Sequence, residues 1–131
     1  MSEPIRCITT DEAPQPAGHY SQATAWGDLV FASGQLGVRR DGSHTVGEPF
    51  EVQARQAIDN VLSVLRAGGC AQEGILRVTA YIAGVENWPE FNKVYADVMG
   101  RTKPARTVVP VPELHHGYLV EIDAIGVRVT S

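Results

Sequence analysis

The chain has 131 residues, of which 44% are hydrophobic and 20% are charged, and its formal net charge is −4. This length predicts a single domain, residues 1–131, that can bury a core. The acidic balance and the lack of a basic stripe argue against nucleic acid as a partner, and no apolar run approaches the ~20 residues of a membrane span. The start of the chain shows no apolar signal region, and Cys7 and Cys70 form no metal-type cluster. We therefore expect a cytoplasmic protein with two reduced thiols and no membrane partner.

The first third of the chain predicts a loop, a strand and a turn. The first twenty residues are rich in proline and glycine around APQPAGHYSQ, which is typical of a surface loop leading into a strand. The apolar run LVFAS, residues 29–33, predicts a buried strand that ends at Gly34. The Asp41-Gly42 pair further along predicts a turn.

Residues 49–67 form the clearest predicted element, a helix. Its apolar residues recur three and four positions apart and share one face: Phe50, Ala54, Ala57, Ile58, Val61 and Leu65. Pro49 suits the first turn, and Gly68-Gly69 ends the helix. The opposite face is polar and predicts contact with solvent: Gln53, Arg55, Gln56, Asp59, Asn60 and Ser63.

The second half of the chain predicts a strand at 75–85, a helix at 88–98 and two further strands. The segment KPARTVVPVP (103–112) predicts a short strand near a sheet edge, because its prolines cannot donate to a ladder. The longest predicted strand is 118–129. The resulting order, β-β-β-α-β-α-β-β, predicts an α+β fold with two helices on one face of a mixed sheet. Since no further helix is left to cover the other face, we expect a homo-oligomer.

Arg106 lies in an otherwise apolar strand, beside Thr107, Val108 and Val109, and two interpretations are open. An edge strand commonly carries a charge that prevents pairing with other chains. Alternatively, the guanidinium is a fork of N–H donors that binds a carboxylate.

The last predicted strand places two acids on one face. Alternation puts Glu121 and Asp123 on the face opposite Val120, Ile122 and Ala124. This end of the strand is then either solvated, with Glu121 paired to an arginine, or it carries a carboxylate at the mouth of a cleft that orients or deprotonates a water.

The four histidines show no metal-ligand spacing, so no metal site is expected: they are His19, His44, His115 and His116. On a strand, the side chains of the adjacent pair 115–116 would point apart. These histidines suit plain surface, loop packing or the rim of a pocket. No glycine-rich nucleotide motif is present, so no nucleotide cofactor is implied.

Six stretches, in this order, resemble the Rid family of reactive intermediate deaminases, also called YjgF-like proteins. They are GHYSQA (18–23), VFASGQLG (30–37), QARQAIDNVLSVLRAGG (53–69), FNKVYADV (91–98), PART (104–107) and VEIDAIGV (120–127). The resemblance implies a chorismate-mutase-like fold, with a six-stranded mixed sheet and two helices, that assembles as a homotrimeric barrel with clefts between subunits. It also implies hydrolysis of enamine or imine acids such as 2-aminoacrylate to a 2-keto acid and ammonia, without cofactor or metal.

The resemblance also implies roles for individual residues. Arg106 matches the arginine that binds the substrate carboxylate, and Glu121 matches the acid linked to the hydrolytic water. The substrate-binding positions that match are Tyr20, Ser33, Gly34, Asn92 and Val108.

Two departures from the family pattern bear on the substrate. Val108 stands where the family often has cysteine, and the His-His-Gly-Tyr segment (115–118) replaces a more usual Lys/Asp-rich loop. A larger or specialised imine acid is therefore open as the substrate, including a pathway-specific 2-aminomuconate type. Two other functions are alternatives: a non-catalytic protein that binds 2-keto acids or other small ligands, and the RNA cleavage ascribed to some family members.

Overall fold

The computed structural model describes residues 4–129. Its strands are β1 (Arg6–Ile8), β2 (Ala23–Trp26), β3 (Leu29–Gln35), β4 (Ile75–Ala83), β5 (Ala105–Val111) and β6 (Val120–Val127), and its α-helices are α1 (Phe50–Ala67) and α2 (Trp88–Met99). The strands form one sheet in the order β1-β2-β3-β6-β4-β5. The β4–β5 pair is parallel and the other pairs are antiparallel. The predicted α+β fold, with a six-stranded mixed sheet and two helices, is confirmed.

The core lies between one face of the sheet and the two helices. Along β6, Val120, Ile122 and Ala124 are buried while the residues between them are only partly so. They pack in one cluster with the apolar stripe of α1 and with Phe91 of α2. This is the alternation and the helical spacing that the sequence predicts. Within residues 4–129, no helix is long and apolar enough to cross a membrane.

The opposite face of the sheet carries apolar side chains that solvent reaches. Trp26 and Phe31 keep 49% and 40% of their surface exposed. Direct strand partners share a face, so Phe31 lies beside Ile125 of β6 on this side. The uncovered apolar face that the element order predicts is present, and assembly through it stays a prediction.

Several element boundaries differ from the sequence prediction. Strand β1 lies within the segment predicted as a loop, where it pairs with β2. Strand β3 does not end at Gly34 but continues to Gln35, because a bulge takes up one extra residue. Strand β4 has nine residues and is longer than β6, which has eight. Pro110 lies inside β5, where an edge strand tolerates it because one side forms no ladder.

The prediction of a solvent-facing polar face on α1 was wrong for two amides. Gln53 and Asn60 are each only 1% exposed. The Asn60 Nδ2 donates to the carbonyls of Leu36 and Val38, at 3.0 and 2.7 Å. These amides are buried because they bind the main chain of loops that pack over the helix.

Replacing Asn60 by alanine should destabilise the fold, because two partly buried carbonyls lose their donor. We expect Asn60→Ala to lower the free energy of unfolding by about 2 kcal/mol or more. Ser63→Ala, on the same helix but partly exposed, should stay within about 0.5 kcal/mol of the parent. Urea unfolding at one protein concentration measures both, and equal stabilities of the two variants would contradict the role of Asn60.

Candidate functional site

A cavity of about 750 Å³ opens at one end of the β3–β6 pair. Its walls come from the loop before β2 (residues 14–20), the β3 bulge, the turn at residues 38–44, the turn at residues 115–116 and Glu121. A volume of this size is typical of small-molecule sites. The cavity therefore brings together segments that are far apart in sequence.

The bulge in β3 brings a main-chain segment directly against an acid of β6. Ala32 and Gln35 pair with Ala124 and Ile122, so β3 carries one residue more than β6 between these two pairs. A side chain at Gly34 would place its Cβ 2.9 Å from Oε2 of Glu121. A side chain at this position would therefore displace the Glu121 carboxylate, which lies against the Gly34 main chain.

Ser33 is held by the neighbouring segment rather than presented as a free hydroxyl. Its Oγ donates to the carbonyl of Ser21 at 2.6 Å, and its N–H donates to the carbonyl of Gln22 at 2.9 Å. These two bonds fasten the bulge to the chain that leads into β2. Tyr20, half-exposed, stands beside it with its ring 3.4 Å from the position of a Cβ at Gly18.

The surroundings of Glu121 favour the protonated carboxyl. Burial raises the pKa of Glu121 above its ordinary value, the negative charge of Asp123 raises it further, and His115 lowers it. Asp123 itself accepts a hydrogen bond from the Tyr81 hydroxyl at 3.1 Å. Within residues 4–129, no group donates a hydrogen bond to the side-chain carboxyl of Glu121, so this carboxyl is available to exchange a proton with a bound molecule.

The two adjacent histidines do not point apart as an extended strand would have placed them. They lie in a short 3₁₀ turn, and the ring centroids of His115 and His116 are 3.8 Å apart. His116 has φ 60°, a left-handed conformation that few residues other than glycine adopt. His44 lies across the cavity wall, 5.0 Å from His116 between ring centroids. Of the interpretations open for the four histidines, the rim of a pocket therefore applies to His44, His115 and His116.

Arg106 lies away from this cavity. It pairs with Val78, whose side chain is in the core, whereas Glu121 pairs with Tyr81 on the opposite face of the sheet. The guanidinium carbon of Arg106 lies 5.0 Å from the ring centroid of Tyr95 and 5.7 Å from that of Phe91, both on α2.

The sequence-predicted residues thus fall into two groups. Tyr20, Ser33, Gly34 and Glu121 line the cavity. Arg106, Asn92 and Val108 lie on the side of the sheet that carries the helices. There Asn92 is exposed next to Phe91 on α2, and Val108 packs against the core.

Among the described residues, no group of three or more His, Cys, Asp or Glu side chains is placed to hold a metal ion. The three imidazoles of the cavity stack against each other instead of converging on one point.

A family model described as Endoribonuclease L-PSP, the Rid or YjgF-like family, matches residues 10–128. The chain belongs to this family. Its Rid relatives include a RutC family protein of Pyrococcus horikoshii, 35% identical over 92% of this chain and 96% of the relative. Another is a 2-iminobutanoate/2-iminopropanoate deaminase of Dermatophagoides farinae, 36% identical over 95% of this chain and 97% of the relative.

Solved Rid structures share the fold over nearly the whole chain. The crystal structure of E. coli TdcF with bound serine superposes with a TM-score of 0.88 at 31% identity, covering 95% of this chain and 99% of TdcF. The recognition of the family from six short stretches is confirmed.

The raised pKa of Glu121 makes stability depend on pH in a definite direction. A carboxyl whose pKa is higher in the folded than in the unfolded state stabilises the fold at low pH, and that contribution is lost as the pH rises through the folded pKa. Glu121→Gln should therefore raise the melting temperature relative to the parent at about pH 7.5 and much less at about pH 4, where both side chains are neutral.

Thermal unfolding at one protein concentration and both pH values measures this difference. Glu113→Gln, an exposed glutamate in the loop before residue 115, is the matched control and should change little at either pH. An equal change in melting temperature for Glu121→Gln at both pH values would contradict the electrostatic role of the Glu121 carboxyl.

Proposed function

We propose that this Rid family protein hydrolyses reactive enamine and imine acids of the 2-aminoacrylate class to 2-keto acids and ammonia. The observation that carries the proposal is a half-buried carboxyl with a raised pKa, Glu121, held against the glycine of a β-bulge in a cavity of ligand size. A relative at 36% identity bears the name of an imine deaminase, which supports the same activity.

Glu121 would move the protons that the reaction requires. The enamine first tautomerises to the imine, and a water oxygen then bonds to the imine carbon. The protonated Glu121 gives its proton to the imine nitrogen, and the carboxylate that results takes a proton from the attacking water, which leaves a carbinolamine. Glu121 then passes that proton to the amino nitrogen and takes the hydroxyl proton of the carbinolamine, so that ammonia leaves, a keto group remains and Glu121 is protonated again. Water and the imine supply every atom of the products, so the reaction needs no cofactor and no change of oxidation state.

Arg106 would hold the substrate carboxylate by two parallel N–H bonds. Its two aromatic neighbours fix the guanidinium plane, which reduces the freedom that binding would otherwise remove. Because Arg106 and Glu121 lie on opposite faces of the sheet within one chain, we place each site between two subunits of a homotrimer. One subunit would supply Arg106 and its neighbour Glu121.

A coupled assay tests the activity. A threonine dehydratase generates the imine, semicarbazide traps what survives, and the purified protein competes for it. We expect the parent to reduce semicarbazone formation, and Arg106→Ala to lower kcat/KM by roughly a hundredfold, as expected when one partner of an ion pair is removed. Arg101→Ala removes another exposed arginine and should leave the rate unchanged.

Hydrolysis by Arg106→Ala at the parent rate would contradict the role of the arginine. If the parent hydrolyses no imine, the activity itself is wrong. Binding of 2-keto acids without turnover would then favour the alternative of a small-ligand-binding protein.

Mixing two inactive variants tests whether the site is shared between subunits. Arg106→Ala and Glu121→Gln, unfolded and refolded together in equal amounts, should regain about a quarter of the parent activity, because random assembly leaves that share of interfaces with both residues intact. Each variant refolded alone is the control. No recovery on mixing would place both residues in a site within one chain.

A further inference from the structure

Three imidazoles form a continuous surface on one side of the cavity. We call His44, His115 and His116 the imidazole wall. The ring of His116 lies 3.8 Å from that of His115 and 5.0 Å from that of His44, between centroids, and all three rings line the cavity that Glu121 also lines. The proposed hydrolysis uses none of these side chains.

Buried contacts hold the imidazole wall in place. The hydroxyl of Tyr118, which is fully buried, lies 2.7 Å from Nδ1 of His44 and accepts a hydrogen bond from the N–H of Thr45 at 3.3 Å. It therefore joins the turn at residues 115–117 to the turn that carries His44. His116 keeps its left-handed φ of 60° because this turn is tied at its end. A strained residue at a cavity, supported from behind, is typical of a functional position.

The cavity is much larger than the smallest imine acids require. A volume of about 750 Å³ is in the range of sites for drug-sized ligands, whereas 2-aminoacrylate has only a handful of non-hydrogen atoms. The carboxyl of Glu121 contacts Gly34 at one part of the wall, which leaves the part lined by imidazoles for another portion of the substrate.

The charged residues around the cavity limit which chemical group of the substrate can lie against the imidazole wall. Arg40 is the one arginine or lysine in its lining, and it is already paired with Glu12 at 2.8 Å. Asp41 and Glu121 are acids. Partial loss of solvent lowers the pKa of His116, and the neighbouring His115 and His44 lower it further, so its ring is neutral near neutral pH. Asp41 disfavours a second carboxylate in this part of the cavity, and the imidazole rings offer flat surfaces.

We propose that the imidazole wall binds a planar, uncharged side chain, so that the substrates of this protein are the imine acids of aromatic amino acids. The inference rests on the proposed imine hydrolysis and names its substrate class. Aromatic rings pack against other rings in tilted or offset arrangements, as the three imidazoles do with each other. The ring of Tyr20, half-exposed at the same cavity, adds a further aromatic surface.

Two imines and four proteins test the inference. An amino acid oxidase, with catalase present, converts alanine and phenylalanine to their imines, and semicarbazide trapping measures their hydrolysis. The proteins are the parent, His115→Ala, His116→Asn and the control His19→Ala, which removes an exposed histidine outside the cavity lining. Asparagine is chosen at position 116 because it tolerates a positive φ.

We expect the parent to prefer the phenylalanine imine by about tenfold or more in kcat/KM, and each wall variant to lose most of that preference. The readout for each wall variant is the ratio of its two kcat/KM values, and only the control His19→Ala should hydrolyse both imines as the parent does. A parent without the preference, or wall variants that keep it, would overturn the inference while leaving the hydrolysis intact.

Calorimetric titration with keto acids gives a readout that does not depend on turnover. Phenylpyruvate should bind the parent more tightly than pyruvate or 2-oxoglutarate, and the wall variants should lose this difference. If no imine is hydrolysed, the proposed function fails, and the titration alone decides whether the wall selects aromatic ligands. Equal binding of phenylpyruvate and 2-oxoglutarate would overturn the inference.

Discussion

The loops that surround the cavity depend on three buried side-chain amides. Gln22 accepts from the N–H of Thr10 at 2.8 Å and donates to the carbonyls of Thr10 and Pro14. Gln53 accepts from the N–H of Leu119 at 2.9 Å, and Asn60 binds the segment that follows β3. Loops form no regular ladder of main-chain hydrogen bonds. A buried N–H or C=O group without a partner costs more free energy than one hydrogen bond contributes. The amides therefore tie the loops next to the cavity to the core.

The second constraint is the absence of a side chain at Gly34. A Cβ added at Gly34 of the bulged strand would lie 2.9 Å from Oε2 of Glu121 and would displace the carboxyl. The bulge and the glycine together let a carboxyl approach the main chain closely while solvent is partly excluded. Burial and Asp123 then raise the pKa of Glu121, so local geometry prepares the group for proton transfer. The same few atoms of Gly34, Glu121 and Asp123 therefore determine both the local packing and the pKa of Glu121.

The sequence predicts the core faces of strands and helices, whose apolar residues repeat with a regular period. It does not predict which polar side chains are buried. The alternation in β6 and the stripe of α1 indicate the core, since burial of apolar surface repeats with the geometry of each element. Gln53 and Asn60 were predicted to face solvent because polarity normally indicates exposure, yet their partners are carbonyls of distant loops that no local pattern reveals. Strand geometry predicted that the side chains of His115 and His116 point apart. In the structure the two residues lie in a turn, with a left-handed φ at His116, and their rings lie side by side. The family resemblance supplied the candidate site residues, but it could not show that they divide into two groups.

The division between Arg106 and Glu121 follows from the sheet itself. Strand β5 is at the edge and pairs in parallel with β4, so Arg106 shares the face of Val78 and meets α2. Strand β6 is central, and its alternation assigns Glu121 to the face that no helix covers within residues 4–129. Within one chain, the two side chains therefore start from opposite faces of the sheet, which is the reason for the proposal that two subunits share each site. Binding of a second chain over the uncovered face would bury the exposed Trp26 and Phe31. This would stabilise the assembly, because it removes apolar surface from water. Oligomerisation would then serve stability and catalysis through the same contact.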